Sequence, residues 1–529
     1  MDTDDRSILL GNGSVHTLDS SEATADAVLI ENGVVTSVGT DAEVTSRAGA
    51  GVRQIDLGGR TVLPGLIDVH AHIELATYSN GWWHDVRFAD REETLRRIGV
   101  AIENAPPGGW VVCQATYGQD LPDREELDRV APDNPVAIRW SMHMLMANST
   151  ALRRAGIDRT FVPPSNSRVE RDADGNATGF IEEGFDLLDT PYPGVDWLED
   201  ALARDLADSF TRHGVTTVHE LPATTNGTRA WQRLKRAGRL SSRIVLNPIL
   251  APAHQPTVPD LDGFLSLGLQ TGFGDDDLRF GALKVFVDGD EEAAFDRSHL
   301  GRTPGRWGLM GRSYNEVVSL VTRCLEADVQ LWLHAIGDAA QELTLDAIAE
   351  ATRAVPGKDH RIRVEHLANH IKDPEQLGRI KELGVIAVPT AAFMYSHDPS
   401  GDPDYSRIDF PYRTMIDAGL QPPGNSDSAG TQPFATSPWF GIACMMHRRN
   451  KHGLVLAPQE RVDFRTALLT YTRFAAYATF DEGKRGVIRP GALGDLVVLP
   501  HDPFQLDAEA IEGLKPDLVI VGGAISHGE

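Results

Sequence analysis

The stretch PGLIDVHAH at residues 64–72 decides the fold of this 529-residue chain. An apolar run ends here in two histidines, His70 and His72, which are two positions apart. Residues i and i+2 of a strand face the same way, so both imidazoles can reach one ion. Because the chain has 18 histidines, such a pair can also arise by chance as packed or surface side chains. The pair becomes informative only together with the rest of the chain.

Short apolar runs of the same kind recur along the middle of the chain, with helical patterns between most of them. This alternation is typical of βαβ units and a parallel sheet. Eight such runs predict an α/β protein built on a (β/α)8 TIM barrel. In chain order, the predicted strands are residues 65–70, 215–220, 243–250, 281–287, 329–334, 361–366, 384–390 and a short one within 420–427.

Three further predicted strands end in a residue type that binds metals. His334 ends the run VQLWLH, His366 ends RIRVEH, and Asp427 follows a Gly-Asn-Ser turn where the eighth strand should end. Catalytic residues of α/β barrels lie at the carboxyl ends of the strands. Histidine and aspartate suit a borderline cation such as Zn2+. Each residue alone could be a packed histidine or a capping aspartate, but four such strand ends on one rim predict a metal site.

The chain has only eight lysines, and one of them, Lys284, lies inside the apolar run GALKVFV. Desolvation of an ammonium group is costly, so a buried lysine often loses its proton. The neutral amine can react with carbon dioxide, and the resulting carbamate is a carboxylate that could bridge two metals. The alternative is a lysine whose ammonium group reaches the barrel rim. The neighbouring histidines favour the carbamate.

The two ends of the chain differ in sequence pattern from its middle. Residues 1–60 and 485–529 consist of short apolar runs separated by turn residues such as Asn-Gly and Gly-Gly, and they predict one small composite β-sandwich domain. Residues 61–484 are then the barrel domain. Because its first two strands are far apart in sequence, residues 75–200 are predicted to be an inserted lid subdomain over the barrel mouth. This insertion contains one predicted helical stretch, HMLMANSTALRRAG at 143–156.

Composition excludes several classes of function. The 50 Lys and Arg residues against 76 Asp and Glu give a formal net charge of -26, and no basic cluster suited to nucleic acid is visible. The three cysteines, Cys113, Cys324 and Cys444, form neither a disulfide framework nor a CxxC site, which fits a reducing compartment. Neither a signal peptide nor a transmembrane run is predicted. The expected location is the cytoplasm, with no membrane partner.

The motifs PGLIDVHAH, LKVFVDG, LHAIGD, VEH and NSD occur in this order along the chain. In this respect the chain resembles the amidohydrolase superfamily, and specifically the YtcJ-like amidohydrolases, the group that includes N-substituted formamide deformylase. The segments DNPVAIRWSMHMLMANSTAL and GNATGFIEEG resemble this subgroup rather than the superfamily at large. The resemblance covers essentially the whole chain. It is specific for fold and reaction class and much less informative about the substrate.

The resemblance implies a site for one or two divalent metal ions. Six residues would hold them: His70, His72 and Asp427 for one ion, His334 and His366 for the other, and Lys284, carbamylated by carbon dioxide, as the bridge. Zinc is the expected metal, although Fe, Mn, Co and Ni accept the same ligand types. Glu183 matches an acidic residue of the subgroup, and it is an alternative ligand if Lys284 is unmodified.

The reaction implied is hydrolysis of an amide-type C–N bond, N-acyl or N-formyl, by metal-bound hydroxide. Asp427 is expected to act as general base and then as general acid. His143 matches a subgroup histidine that would face the site and donate to the oxyanion, unless it only packs within the lid. The further candidates for contact with the substrate, each of which could instead be ordinary core, are His219, Trp82, Trp83, Trp307, Phe393 and Tyr395.

One loop departs from the subgroup. After LKVFVDG the chain reads DGDEEAAFDRSHLGR, which puts Asp290, Glu291 and Glu292 near the barrel mouth. They could form a solvated charge run, or they could favour a substrate with a cationic or amine-bearing group. Because of this departure, other substrates remain alternatives: a cyclic imide or lactam, a carbamate, an ester or a ring amine. A non-catalytic regulatory barrel is a further alternative. The expected partner is a small-molecule amide, and a homodimer would be usual for the family.

Overall fold

The structure is a computed structural model that describes residues 7–19, 24–253, 257–290, 294–296, 308–371, 373–397 and 408–528. Strands and helices alternate through most of the middle of the chain, as the α/β prediction requires. The strands of the first half are β1 (Ile8–Gly11), β2 (Ser14–His16), β3 (Thr24–Ala25), β4 (Ala27–Glu31), β5 (Val34–Gly39), β6 (Arg53–Asp56), β7 (Thr61–Pro64), β8 (Leu66–Ala71), β9 (His84–Asp85), β10 (Val111–Ala115), β11 (Val136–Trp140), β12 (Met144–Ala147), β13 (Arg168–Arg171) and β14 (Ala177–Glu182). Those of the second half are β15 (Val215–Glu220), β16 (Arg243–Leu246), β17 (Leu278–Phe280), β18 (Ala282–Phe286), β19 (Gln330–His334), β20 (Arg363–Glu365), β21 (His370–Ile371), β22 (Ile386–Val388), β23 (Ile408–Asp409), β24 (Leu496–Leu499), β25 (Leu518–Val521) and β26 (Ala524–His527).

The α-helices lie between these strands and mostly bury one face against them. They are α1 (Asp41–Thr45), α2 (Ile73–Gly81), α3 (Arg91–Asn104), α4 (Arg124–Val130), α5 (Ser149–Arg154), α6 (Val195–Asp205), α7 (Thr225–Arg236), α8 (Leu261–Leu265), α9 (Tyr314–Glu326), α10 (Asp338–Ala354), α11 (Glu375–Glu382), α12 (Phe393–Ser396), α13 (Tyr412–Asp417), α14 (Pro438–His447), α15 (Phe464–Thr470), α16 (Arg473–Ala478) and α17 (Ala508–Glu512). Within the described ranges, none of these helices is long and apolar enough to cross a bilayer.

Two four-stranded parallel sheets contain seven of the eight strands predicted from the apolar runs, together with β17, which was not predicted. Strands β8, β15, β16 and β17 form the first, and β18, β19, β20 and β22 form the second, each in chain order. Apart from β17, the strands of both sheets have mostly buried side chains, as is typical of parallel sheets covered by helices. The parallel order places the carboxyl ends of the strands along one edge of each sheet, and this edge carries the histidines predicted as metal ligands.

Backbone hydrogen bonds link the two sheets directly on one side. There, Lys284 of β18 donates its N–H to the carbonyl of Pro248 (2.9 Å) and accepts from the N–H of Leu250 (2.9 Å). On the other side the link runs through the segment 424–427, where the Asn425 side chain donates to the carbonyl of Pro389 just after β22 (3.0 Å). The same segment contacts β8: Val69 donates to the carbonyl of Gly424 (3.3 Å), and Asp427 donates to that of His70 (2.9 Å). This segment contains no regular strand, although the sequence predicts one there.

Strands from the two ends of the chain share one sheet. Its order is β26-β25-β24-β7-β2-β3, and β24 pairs antiparallel with β7 through Val497 and Leu63. A second sheet of four strands, β5-β4-β1-β6, belongs entirely to the first 60 residues. The alternating apolar side chains of both sheets meet in one core cluster that includes Val62 and Leu496.

The insertion between β8 and β15 has a six-stranded sheet of its own, with the order β13-β14-β12-β11-β10-β9. Its apolar side chains pack against α2, α6 and α7. The single helix predicted at 143–156 is wrong in its first part, because residues Met144–Ala147 form strand β12 and only Ser149–Arg154 are helical. Asn148 explains the change, since its side chain accepts from the N–H of Ala151 and thereby begins a new helix at that point.

A buried ion pair connects the parallel sheet to the sheet of the chain ends. Arg243 of β16 binds both carboxylate oxygens of Asp495, at 2.8 and 2.9 Å, and one of these oxygens also accepts from the N–H of Gly522 (2.7 Å). Removal of one partner leaves a buried charge without compensation, which typically costs about 3–5 kcal/mol.

We therefore expect Arg243→Ala to lower the melting temperature of the protein clearly. Arg96→Ala, which removes an exposed partner of Glu93 on α3, is the matched control and should leave the melting temperature almost unchanged. Differential scanning calorimetry of the two variants checks this. Equal shifts for both would show that the pair does not hold the two sheets together.

Candidate metal centre

Three of the predicted ligands converge at the carboxyl edge of the parallel strands. The Oδ1 atom of Asp427 lies 3.6 Å from Nε2 of His70 and 3.5 Å from Nε2 of His72. All three side chains are buried, and their ligand atoms lie within 4.8 Å of one another. Two ligands of a tetrahedral Zn2+ ion, each about 2.0–2.1 Å from the metal, are roughly 3.3 Å apart. The spacing of these atoms therefore fits a shared ion.

The local backbone explains why these side chains meet. Strand β8 ends at Ala71, so His70 and His72 leave it on the same side, and the N–H of His72 donates to Oγ of Ser428 (2.9 Å). Asp427 has a left-handed backbone conformation (φ 45°), which turns the chain sharply after the Gly-Asn-Ser sequence. Its own N–H donates to the carbonyl of His70. Asp427 Oδ1 accepts no hydrogen bond from any described residue, although it is buried. A buried carboxylate oxygen of this kind is expected to have a cation as its partner.

Glu365, which the sequence analysis did not single out, orients His70. Its Oε2 atom lies 2.5 Å from His70 Nδ1, so this nitrogen donates and Nε2 is left to bind a metal. Arg363 holds both oxygens of Glu365 at 2.8 Å, and its guanidinium group stacks on Trp332 at 3.5 Å. An Arg-x-Glu-His sequence at the end of an apolar strand is the only signal in the sequence that could have revealed this arrangement.

His334 and His366 lie beside this cluster. Their ring centroids are 4.7 Å apart, and His366 Nε2 is 3.9 Å from Oδ2 of Asp427. Burial holds the pKa of both imidazoles well below the ordinary value, so both are neutral and can act as ligands. His334 Nε2 lies 3.2 Å from the carbonyl of Gly289. The structure thus brings together all four histidines and the aspartate that the sequence analysis selected.

Lys284 reaches the same cluster from strand β18. Only 1% of this residue is exposed, and its Nζ atom lies 3.4 Å from His70 Nε2. Burial lowers the pKa of Lys284 to about 8, although the nearby carboxylates of Glu365 and Asp427 oppose the shift. Burial also raises the pKa of Asp427 to about 7. The amino group is therefore buried beside His70.

His143 and Glu183 form a pair at the border of the insertion. The Nδ1 atom of His143 lies 2.7 Å from Oε1 of Glu183, and its ring centroid is 5.6 Å from that of His334. Burial disfavours the imidazolium, but Glu183 and Asp290 outweigh it and raise the pKa of His143 to about 9. Asp290 is buried rather than solvated, and its N–H donates to Glu183 (3.0 Å). Glu291 and Glu292 lie outside the described residues.

Asp288 is a second residue that the sequence analysis missed. It is buried, and its carboxylate accepts three backbone N–H groups, from Phe295 (3.1 Å), Ile336 (3.0 Å) and Gly337 (2.8 Å). Burial raises its pKa to about 7. By accepting these three hydrogen bonds, Asp288 fixes the turn that follows His334. The motif LKVFVDG contains this residue, but a sequence alone does not reveal which N–H groups a carboxylate will bind.

The aromatic side chains predicted to contact the substrate lie in different parts of the structure. Phe393 stacks on His366, with ring centroids 5.5 Å apart. Tyr395 packs against Phe434 and Phe440, Trp83 lies in the core of the insertion below Arg139, and Trp82 is 38% exposed and donates to the carbonyl of Pro191. Only Phe393 among these four directly contacts a predicted ligand. Trp307 lies outside the described residues.

His219 is not at the mouth where the sequence analysis expected it. Strand β15 continues to Glu220, whose carboxylate accepts the N–H groups of Ile73 and Glu74 at the start of α2. His219 instead packs against Trp332, with ring centroids 5.8 Å apart, and lines a cavity at the opposite ends of the strands.

One other group of ligand types occurs among the described residues, formed by His370, His397 and Asp409. His370 Nδ1 lies 2.7 Å from Asp409 Oδ1, and His397 Nε2 lies 3.2 Å from Asp409 Oδ2. These are direct hydrogen-bond distances, shorter than the separation of ligands around a shared ion. The group is therefore a hydrogen-bonded triad, unlike the cluster at His70.

Comparisons with known proteins agree with this geometry. A model of the amidohydrolase family matches residues 53–527 of the chain. N-substituted formamide deformylase of Arthrobacter pascens is 29% identical over 544 residues, which cover 99% of this chain and 98% of that protein. The YtcJ protein of Bacillus subtilis is 25% identical, with 97% and 98% covered. The crystal structure of an uncharacterized metal-dependent hydrolase from Pyrococcus horikoshii has a similar fold, with a TM-score of 0.73, 21% identity, and 95% and 99% covered.

The geometry at His70 generates a test that does not depend on the substrate. Glu365→Gln removes the negative charge that orients the imidazole, and loss of such a partner typically weakens metal affinity about 10–100-fold. We expect this variant to release zinc to a chelator at correspondingly lower chelator concentration. Glu382→Gln on the exposed face of α11 is the control and should retain zinc as the unmodified protein does. Identical chelator titrations for both variants would contradict the assigned role of Glu365.

Proposed function

The chain belongs to the amidohydrolase family, and on that premise we propose that it cleaves an amide-type C–N bond, N-acyl or N-formyl, in a small molecule. The observation that carries this proposal is the convergence of His70, His72 and Asp427. The name of the relative from Arthrobacter pascens, N-substituted formamide deformylase, supports the choice of bond.

The proposed architecture follows from the links between the sheets. The two parallel sheets and the segment 424–427 would form one (β/α)8 barrel within residues 61–484. Backbone hydrogen bonds join β18 to residues 248–250 and the segment to β8, and the Asn425 side chain bonds the carbonyl of Pro389 after β22. Residues 1–60 and 485–529 would be the composite β-sandwich domain, and residues 75–200 the inserted lid. The sheet shared by the two chain ends and the separate sheet of the insertion support this division.

The proposed metal ligands are the residues that converge at the strand ends. His70, His72 and Asp427 would hold one divalent ion, for which zinc is the expected choice, and His334 and His366 would hold a second. Such an ion, when bound, polarises the substrate carbonyl and lowers the pKa of water from 15.7 to roughly 7. The ligand types fit, because all four imidazoles are buried, and the lowered pKa values of His70, His334 and His366 leave these three neutral. His72 Nε2 faces Asp427 Oδ1 at 3.5 Å.

Lys284 is proposed to carry the carbamate. Its neutral Nζ adds to the carbon atom of carbon dioxide and releases one proton, so the product is a carboxylate at the position of the former amine. Two observations favour Lys284 over Glu183 as the acidic bridge. Nζ already lies 3.4 Å from His70 Nε2, whereas the carboxylate of Glu183 binds His143 and the N–H of Asp290.

The protein's own groups would move the protons. Asp427 is the proposed general base that takes the proton of the attacking water, and it then delivers this proton to the leaving nitrogen as general acid. Burial favours its protonated form, which suits the second step. His143, kept protonated by Glu183, would donate an N–H to the carbonyl oxygen as negative charge develops there.

The space next to the site favours a small acyl group. A cavity of about 40 Å³ is lined by Asp290, Phe393, Gln432 and their neighbours. Asp290 would add a preference for a substrate with a cationic or amine-bearing group. The alternative is that the same residues act on a cyclic imide or lactam, a carbamate, an ester or a ring amine.

A panel of N-formyl and N-acyl amides tests the proposed reaction, with imides, lactams, carbamates and esters as comparison compounds. The zinc-loaded protein should turn over at least one amide, and Asp427→Asn should reduce kcat by about 10²–10⁴-fold. Elemental analysis should show that this variant retains most of its metal. Hydrolysis of the comparison compounds alone, or near-normal turnover by Asp427→Asn, would overturn the reaction or the role of Asp427 respectively.

A second test concerns Lys284. Protein exposed to 13C-labelled carbon dioxide should show a carbamate signal in 13C NMR that is absent from Lys284→Ala. This variant should lose metal or activity, and short carboxylic acids should restore part of either, because they replace the missing carboxylate. Lys484→Ala is the control, since its exposed ammonium group binds Asp276 at the surface. A protein that lacks the carbamate signal while fully active would instead favour Glu183 as the ligand.

A further inference from the structure

A second, larger cavity lies at the other ends of the parallel strands. Its volume is about 570 Å³, and it extends inward between the amino-terminal ends of β17, β19 and β20. Gln330, which lines it, is the first residue of β19, whereas the predicted ligand His334 is the last residue of the same strand. The cavity is therefore separate from the metal centre. Its lining includes the polar and charged side chains of His219, Arg279, Lys358, Asp481 and Lys484.

His219 is at the inner end of this cavity and is 1% exposed. Neither of its ring nitrogens has a hydrogen-bond partner among the described residues. A buried polar side chain without a partner is costly, so its partner is expected to be a bound molecule. The imidazole is too far inside for bulk water to solvate it. The ring of Trp332 is adjacent to both His219 and His70, with centroids 5.8 and 6.3 Å away.

The charge around His219 is positive. Burial and then the guanidinium groups of Arg363, Arg279 and Arg485 hold the pKa of His219 well below its ordinary value, so the ring is neutral with one N–H donor. Asp481 binds both Arg279 and Arg485, and Asp276 lies 3.6 Å from Arg485 while it also binds Lys484. These three cationic groups share two carboxylates, so one positive charge is left over.

The charges nearer to solvent add no excess of positive charge. Lys358 binds Asp328 (2.5 Å), whereas Asp359, which also lines the cavity, shares Arg361 with Glu482. The excess positive charge is confined to the inner end, beside the unpartnered imidazole. Such a combination of a hydrogen-bond donor and guanidinium groups suits an anion with oxygen acceptors.

We propose that this cavity is a binding site for a small monocarboxylate anion, which accepts a hydrogen bond from His219 and is held in the field of Arg279 and Arg485. The site is separate from the metal centre, and the proposal does not depend on which bond the protein hydrolyses. Water molecules alone are the competing occupant, and they would show no preference for a carboxylate over chloride at equal ionic strength.

Trifluoroacetate is the probe, because its 19F line broadens on binding to a protein of this size. Titrations of the zinc-loaded protein, in a buffer of constant ionic strength set with chloride, give the dissociation constant. His70→Ala separates this site from carboxylate binding at the metal centre and should leave the broadening in place. His219→Leu, which removes the donor, should weaken binding at least tenfold. His219→Gln retains an N–H donor and should weaken it threefold or less.

The control variant is His527→Gln, which lies exposed at the end of β26 and should bind the probe as the unmodified protein does. Crystals soaked in acetate provide a measurement that requires no variant: they should show acetate within hydrogen-bond distance of a ring nitrogen of His219. Broadening that His70→Ala abolishes, unchanged binding by His219→Leu, or water alone beside His219 in the soaked crystals would each overturn the proposal.

Discussion

The hydrogen bond between His70 Nδ1 and Glu365 sets the geometry on which the rest of the site depends. It fixes which nitrogen of His70 carries the proton and directs the other nitrogen toward Asp427 and Lys284. Glu365 can do this only because Arg363 holds both of its oxygens. Because His70 and Glu365 belong to strands that lie far apart in the sequence, the bond also ties the first parallel sheet to the second. The same hydrogen bond therefore aligns the strands of the two sheets and orients a metal ligand.

The metal centre contains several charged groups in the buried interior, where desolvation of an unpaired charge costs free energy. Lys284, Arg363, Glu365 and Asp427 are all buried, and each ionised group in a dry interior needs a partner of opposite sign. Arg363 and Glu365 satisfy one another. Lys284 and Asp427 do so only in part, and burial displaces the pKa of each toward its neutral form. A divalent cation would remove this conflict, because it gives the carboxylate a partner and favours a lysine that has lost its proton.

The features of the fold and the metal centre that could be predicted from the sequence are those that depend on residues close together in the chain. Short apolar runs ending in His70, His334 and His366 were sufficient to predict both the parallel strands and the convergence of the histidines, because the carboxyl ends of parallel strands share an edge. Lys284 was predicted for a local reason, a cation within an apolar strand. Glu365 was missed, since its role depends on a partner 295 positions away.

Other differences have similar causes. The helix predicted over 143–156 was partly replaced by strand β12, because pairing with β11 and β14 outweighs the helical preference of its apolar residues. His219 ends an apolar run as the metal-binding histidines do, yet it faces the opposite cavity. A histidine near the end of an apolar run thus indicates a strand of a parallel sheet, but not which edge of that sheet the side chain faces.

The central claim is that His70, His72 and Asp427 bind the metal that the hydrolysis requires. Anomalous X-ray diffraction from crystals of the zinc-loaded protein, collected on both sides of the zinc absorption edge, tests it most directly. We predict an anomalous peak between His70 Nε2, His72 Nε2 and Asp427 Oδ1. A peak only at His370, His397 and Asp409, or no peak at the carboxyl ends of the parallel strands, would contradict the account.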